Sequence, residues 1–208
     1  MAFILTVLAV FAMLCISEIG WRKQWFANEL GRKFVHITVG SFVAFWPFFL
    51  SWTEIRLLSV AFLVVVLLSQ YFHVFRAIHS VQRPTYGEVF FALTVGLLTY
   101  VTHSKGVYAA AILQMSLADG LAAVVGTRFG RENKYHFLGH TKSVVGTLTF
   151  AAVSLLLLTG FSLWGPTHLP VMVIAFGAFV AAGLENVGVF GIDNILVPLF
   201  IAFLLTNM

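Results

Sequence analysis

The chain has 208 residues, of which 60% are hydrophobic and only 10% charged, and its mean hydropathy is +0.98. Such a composition cannot turn a polar surface to water on every side, so a water-soluble globular domain is excluded and lipid must solvate much of the exterior. The formal net charge of +4 rests on Lys and Arg confined to short loops between apolar runs, which suits lipid headgroups and nucleotide phosphates rather than nucleic acid; the single cysteine, Cys15, rules out an intrachain disulfide and a zinc–thiolate cluster.

With about 20 apolar residues needed per crossing, the sequence predicts membrane helices over 2–19, 34–52, 57–75, 88–102, 106–126, 144–164, 169–187 and 193–207. The fold expected is all-α, a polytopic integral membrane protein of about seven or eight transmembrane helices. No Pro/Ser linker, low-complexity tract or repeat divides it, so residues 1–208 are expected to form one domain. The first run lacks a basic leading region and a small-residue cleavage site, and is expected to be a retained helix rather than a signal peptide. With the N-terminus outside, the loops after helices one, three and five face the cytoplasm. They carry Arg22, Lys23, Arg32, Lys33, Arg76, Arg83, Arg128, Arg131, Lys134 and Lys142, leaving Arg56 and Lys105 on the other side; this asymmetry sets the orientation in the cell membrane. The last run, from Asp193 to Thr206, is 14 residues, or about 21 Å of helix against a hydrocarbon core of about 30 Å. Asp193 and Asn194 are therefore expected below headgroup depth.

Four polar groupings fall on the expected cytoplasmic side. In Glu29 to His36, the residues Arg32, Lys33 and His36 share a helix face and can meet an anionic ligand, although interfacial anchoring would use the same spacing. In Arg83-Pro84-Thr85-Tyr86-Gly87-Glu88, Glu88 is open to a metal or nucleotide role and equally to a helix-start role, with Thr85 as the N-cap. The third grouping carries most information. Asp119 lies inside the apolar run from Val107 to Val125, where a lone carboxylate costs about 2.5–3.5 kcal/mol unless it faces a cavity, a partner or an ion. Asp119, Ala122 or Ala123, Gly126 and Gly130 recur every three or four residues, a stripe along which a nucleotide or another helix can approach the backbone. A flexible Gly-rich basic loop is expected to follow, ending in Lys142 and Ser143 at the start of the next helix, where backbone N–H groups make an anion site. The run Gly139-His140-Thr141-Lys142-Ser143 lacks the Gly beside Lys and the preceding strand that a Walker A loop requires. In the fourth grouping, Glu185-Asn186 and Asp193-Asn194 bracket a Gly-containing turn; Asp193 either N-caps the last helix or joins Glu185 at the cavity of Asp119. His136 and His140 lack a third ligand and are expected to be loop residues. The residues alone thus describe an intramembrane site for a cation and phosphates.

Taken in order over about residues 29–199, the set Arg32-Lys33-x-x-His36, Tyr86-Gly87-Glu88, Asp119-x-x-Ala122-x-x-x-Gly126-x-x-x-Gly130, Lys142-Ser143-x-x-Gly146 and Glu185 with Asp193-Asn194 resembles the CTP-dependent polyprenol kinase family. That family includes dolichol kinases, phytol kinases, phytyl-phosphate kinases and a CTP-using diacylglycerol kinase, and is related to the phosphatidate cytidylyltransferases. Thr147 stands where the family often has Ser, a change that keeps a hydroxyl. The resemblance implies CTP as phosphoryl donor, Mg²⁺ or another divalent cation, and a lipid alcohol as acceptor: a polyprenol, phytol or diacylglycerol.

Phosphoryl transfer rests mainly on positioning and charge neutralisation. In the expected division of labour, Asp119 holds the cation with Asp193 or Glu88, while Lys142 and the Arg32–Lys33 pair neutralise phosphate oxygens. Gly126, Arg128, Gly130, Ser143, Gly146 and Asn194 are further nucleotide contacts, and Glu185 lies nearby. His36 or one of the acids takes the hydroxyl proton, so that Asp119, His36 and Lys142 form the catalytic set. The alternatives are a cytidylyltransferase making a CDP-lipid, a kinase acting on an isoprenyl phosphate, and a transporter using Asp119 and Glu185 as an ion relay. Against the transporter, no charged pathway leads outward beyond Glu54, Arg56, His103 and Lys105.

The loop charges generate a direct test of topology. In a Cys15→Ser background, Asn133→Cys is expected to react with an impermeant thiol reagent only from the cytoplasmic side and Thr167→Cys only from the other; labelling of both from one side overturns the span assignment.

Overall fold

Helices form where the apolar runs predict them, but their ends follow charges and prolines rather than hydropathy. The computed structural model describes residues 1–23, 29–72, 86–165 and 167–208. Among these the helices are α1 (Ala2–Arg22), α2 (Glu29–Ala44), α3 (Trp52–Phe72), α4 (Gly87–Val101), α5 (Lys105–Leu113), α6 (Asp119–Phe129), α7 (Val144–Trp164), α8 (Val171–Val187) and α9 (Asp193–Thr206). Among the described residues the fold is all-α apart from one hairpin, β1 (Lys134–Phe137) with β2 (His140–Ser143).

Three boundaries differ from expectation by five residues or more. The second helix starts at Glu29 rather than at residue 34, so Arg32, Lys33 and His36 sit inside α2 and not at its mouth. It stops at Ala44 rather than at residue 52, because Pro47 follows in a single 3-10 turn, Trp46–Phe48. The third helix starts at Trp52, five residues earlier than expected, and takes in both Glu54 and Arg56. Glu54 accepts from the backbone N–H of Ser51 at 2.8 Å and from its hydroxyl at 2.7 Å, tying down the first turn. Arg56 donates to the Thr99 hydroxyl at 2.9 Å and lies 4.1 Å over the Tyr100 ring, so it joins α3 to α4.

Four helical stretches among the described residues are long and apolar enough to cross a membrane: Ala2–Gly20, Trp52–Ser69, Lys105–Phe129 and Val144–Trp164. Gly87–Val101, Val171–Val187 and Asp193–Thr206 are shorter apolar helices. This is a membrane protein.

The stretch through α5 and α6 is the axis of the bundle. Some 61% of its span is buried, against 28% for α3 and α7 and 17% for α1. The run Ala109-Ala110-Ala111 explains how α2, α4, α7 and α9 all reach α5, since small side chains let backbones approach closely. Tyr108 is fully buried beside them; its hydroxyl donates to the Val95 carbonyl at 3.4 Å and Trp52 meets its ring edge-on at 5.8 Å.

Two features were not expected. Between α5 and α6 the helix widens into a π turn, Gln114–Ala118. The segment expected to be a flexible loop is instead the hairpin, in register Tyr135↔Lys142 and Phe137↔His140. Leu138 (φ 46°) and Gly139 (φ 79°) form its two-residue turn; positive φ at both positions matches the right-handed twist of the strands. Lys142 therefore lies on a strand, and Ser143 is the residue that caps α7.

Candidate active site

The starts of α2, α4, α7 and α9 and the ends of α6 and α8 converge with the hairpin around a cavity of about 670 Å³. Its wall contains Arg32, Lys33, Asp119, Lys142, Glu185 and Asp193. Much of the chain's charge is thus gathered at one end of an otherwise apolar bundle.

Asp119 is answered by a cation. Lys33 reaches across from α2 and its Nζ donates to Asp119 Oδ2 at 2.6 Å, with the two side chains only 10% and 12% exposed. One turn further along α2, His36 Nε2 lies 3.4 Å from the same oxygen and 2.9 Å from the Met115 carbonyl. That carbonyl belongs to the π turn, where the wider i→i+5 spacing takes backbone groups out of the α-helical ladder. Both groups facing Nε2 are acceptors, so this nitrogen carries the ring proton and donates. His36 thereby holds Asp119 and the helix axis in a fixed relation.

The second ion pair comes from the hairpin. Lys142 Nζ donates to Glu185 Oε1 at 2.6 Å and to the Glu185 carbonyl. Its cross-strand partner Tyr135 donates to Asn186 Oδ1 at 2.5 Å and touches the Thr147 hydroxyl at 2.5 Å, while Asn186 donates to the Ala182 carbonyl at 3.0 Å. Sequence reasoning missed Tyr135, because its part depends on the strand register that places it opposite Lys142. At the end of β2 the Ser143 hydroxyl accepts from the Gly146 N–H at 3.1 Å, an N-cap for α7. A Cβ on Gly126 would stand 2.8 Å from that hydroxyl and 3.1 Å from Gly146 Cα, so α6 and α7 touch backbone to backbone here.

The other expected residues divide clearly. Gly126 and Gly146 line the cavity with Ala122 and Ala123, as the stripe implied. Gly130 does not line it but ends α6, its N–H donating to the Gly126 carbonyl at 2.9 Å. Arg128 is exposed, 5.4 Å over the Phe129 ring and away from the cavity; Arg131 and Lys134 line the wall in its place. Arg32 approaches Glu88 at 4.0 Å. The Asn194 amide donates to the Gly87 carbonyl at 3.0 Å and its own carbonyl accepts from Thr94 at 2.7 Å, so Asn194 ties α9 to α4 at the cavity floor. Asp193, next to it, has a buried Oδ1 without a hydrogen-bond partner. Among the described residues no three His, Cys, Asp or Glu groups converge on one point, so Asp119, Asp193 and Glu88 are not a preformed metal cluster. Arg76, Arg83 and Thr85 lie outside the described residues.

Over 195 residues, covering 90% of this chain and 83% of the relative, the sequence is 38% identical to a phytol kinase from Synechocystis sp.. The chain belongs to the phytol kinase family. It is accordingly a phosphotransferase, in agreement with the order of motifs along the sequence. No family model matches the chain, and no solved structure does. The cavity lined by paired lysines and carboxylates holds charge at fixed positions, which is what phosphoryl transfer draws on.

The Lys33–Asp119 pair makes a measurable prediction. Removing one partner of a buried pair strands a charge at a cost of about 3–5 kcal/mol, whereas replacing both costs little. Lys33→Met and Asp119→Asn are each expected to lower the thermal unfolding temperature in detergent, and the double variant to recover most of the loss while staying inactive. Additive losses in the double variant would show that the two side chains do not interact.

Proposed function

We propose that this chain transfers the γ-phosphoryl group of CTP to the hydroxyl of a membrane lipid alcohol of the phytol or polyprenol type, at the cytoplasmic face of a multi-pass bundle. The observation that carries this reading is the presence of two lysines, Lys33 buried and Lys142 half-buried, each held by a carboxylate on the wall of one cavity, in a chain of the phytol kinase family.

In this reading the cavity is charged but balanced before substrate arrives. A triphosphate offers acceptor oxygens to which Lys33 and Lys142 can turn from Asp119 and Glu185, with Arg32, Arg131 and Lys134 supplying further positive charge along the wall. Gly126 and Gly146 leave the wall of the cavity without side chains at the α6–α7 contact. The donor set fits a divalent cation: Asp193 presents a buried oxygen without a partner, Asp119 lines the same cavity, and Mg²⁺ characteristically takes one or two carboxylates together with phosphates and water. Held by one of these carboxylates together with phosphate oxygens and water, the cation would supply charge neutralisation on the phosphate oxygens. His36, whose Nε2 donates to Met115 and Asp119, is a positioning residue for Asp119. The proton of the lipid hydroxyl passes to whichever of Asp119 and Asp193 is not engaged with the cation.

The connectivity supports one domain of eight antiparallel passes, α5 and α6 counting as one. Arg22, the hairpin and the cavity then share one end, and the excess of Lys and Arg there supports a cytoplasmic position for that end.

CTP labelled at the α- or the γ-phosphate, supplied with phytol to the purified protein, separates the possible reactions. The γ label is expected in the lipid; transfer of the α label would identify a cytidylyltransferase, and transfer only to phytyl phosphate a second kinase step. Lys142→Gln is expected to raise the KM for CTP by about 10- to 100-fold, the worth of one charge-assisted contact. Lys105→Gln, at the opposite end of the bundle, is expected to leave it unchanged; equal effects of the two would remove Lys142 from the nucleotide site.

A further inference from the structure

A second cavity, of about 260 Å³, lies between α1, α2, α3 and α4. Its wall includes Val10 and Leu14 from α1, Val39 and Val43 from α2, Phe62 from α3 and Phe91 from α4. No charged side chain lines it, and its two hydroxyls are satisfied within their own helices: Thr6 donates to the Ala2 carbonyl at 2.9 Å and Ser59 to the Arg56 carbonyl at 3.0 Å. Water gains nothing in such a space, since an apolar cavity of this order stays dry and accepts hydrocarbon instead. Left empty, its lining would lose dispersion contacts on one side.

The position of the groove says which hydrocarbon. Phe91, on its inner wall, packs edge-on against His36 with ring centroids 5.4 Å apart, and His36 touches Asp119. Phe62 closes the same wall, 6.0 Å from Phe91. From there the groove runs outward past Val39 and Val43 to Trp46, just beyond the end of α2; the helix rise from His36 to Ala44 is about 12 Å, against a hydrocarbon core of about 30 Å. A lipid hydroxyl brought to Asp119 would thus have an apolar slot leading away from it, along the direction in which a membrane lipid lies.

We infer that the groove between α1 and α4 binds the hydrocarbon tail of the lipid alcohol and sets the preference for a long tail over a short one. This inference rests on the kinase reading above. It assigns tail recognition to α1, α2, α3 and α4, whereas the phosphate chemistry draws mainly on α6, the hairpin and α8.

Two measurements test it. The first is independent of turnover: a phytol analogue with a photoreactive diazirine at the tail end, irradiated with the protein in detergent, is expected to leave adducts on the groove residues of α1, α2 and α3. The second uses Ala61→Trp, at an exposed position on the groove's rim, where a large side chain intrudes without displacing core. It is expected to lower kcat/KM for phytol by about tenfold, the size of a steric discrimination in an apolar pocket, and to leave the value for the short alcohol geraniol within about twofold. Leu156→Trp, on the exposed face of α7, is expected to change neither. Adducts confined to other helices, or equal losses for both alcohols in Ala61→Trp, would overturn the tail groove while leaving the kinase intact. A protein that phosphorylates neither alcohol would overturn the kinase reading and the groove with it.

Discussion

A carboxylate can stand in the axial helix of a lipid-solvated bundle only if something else in the fold answers its charge. Here the answer is Lys33, 2.6 Å from Asp119, and the rest of the architecture is arranged so that the two can meet. Helix α2 must run beside α6 close enough for a lysine to span the gap, and α5 must be slim enough to bring its neighbours in, which its three consecutive alanines provide. The cost of desolvating two ions in this setting is met only when the geometry is tight and further hydrogen bonds are made. His36 makes one of them, and it is linked in turn to the Met115 carbonyl.

The solvent, the helical class and most of the charged residues that line the cavity were legible in the sequence, because composition and the placement of charge act locally. Asp119 announced itself by its apolar surroundings, and Lys33, Lys142, Glu185 and Asp193 by their position near the ends of apolar runs. Their partners did not. Lys33 and Asp119 are 86 residues apart and Lys142 and Glu185 are 43 apart, and nothing in spacing tells which cation meets which acid. The helix boundaries slipped for a related reason: hydropathy stops a span where charges begin, whereas α2 continues through Arg32 and Lys33 because both line the cavity.

The hairpin was hidden by its chemistry. Its strands are four residues each and largely polar, and its turn is Leu138-Gly139 rather than the Asn-Gly or Asp-Gly that marks a two-residue turn. Arg128 and Arg131 look interchangeable along the chain, yet only Arg131 lines the cavity, since Arg128 still belongs to α6 and points past it to Phe129. Asn194, singled out by its place beside Asp193, lines the cavity and also ties α9 to α4, a contact its sequence position does not disclose. In each case the missing information was tertiary.

The π turn at Gln114–Ala118 also sets the angular phase of the central helix. Each residue of an α-helix advances its direction by about 100°, so one extra residue in a turn rotates everything beyond it by that amount relative to everything before. The first half, α5, keeps its alanines and Tyr108 in step with α4 and α9, while the second half, α6, presents Asp119 to α2 and Gly126 to α7. A single uninterrupted helix would have to satisfy both sets of neighbours with one phase. The widened turn uncouples them, and packing in the depth of the membrane need not dictate which way the carboxylate faces.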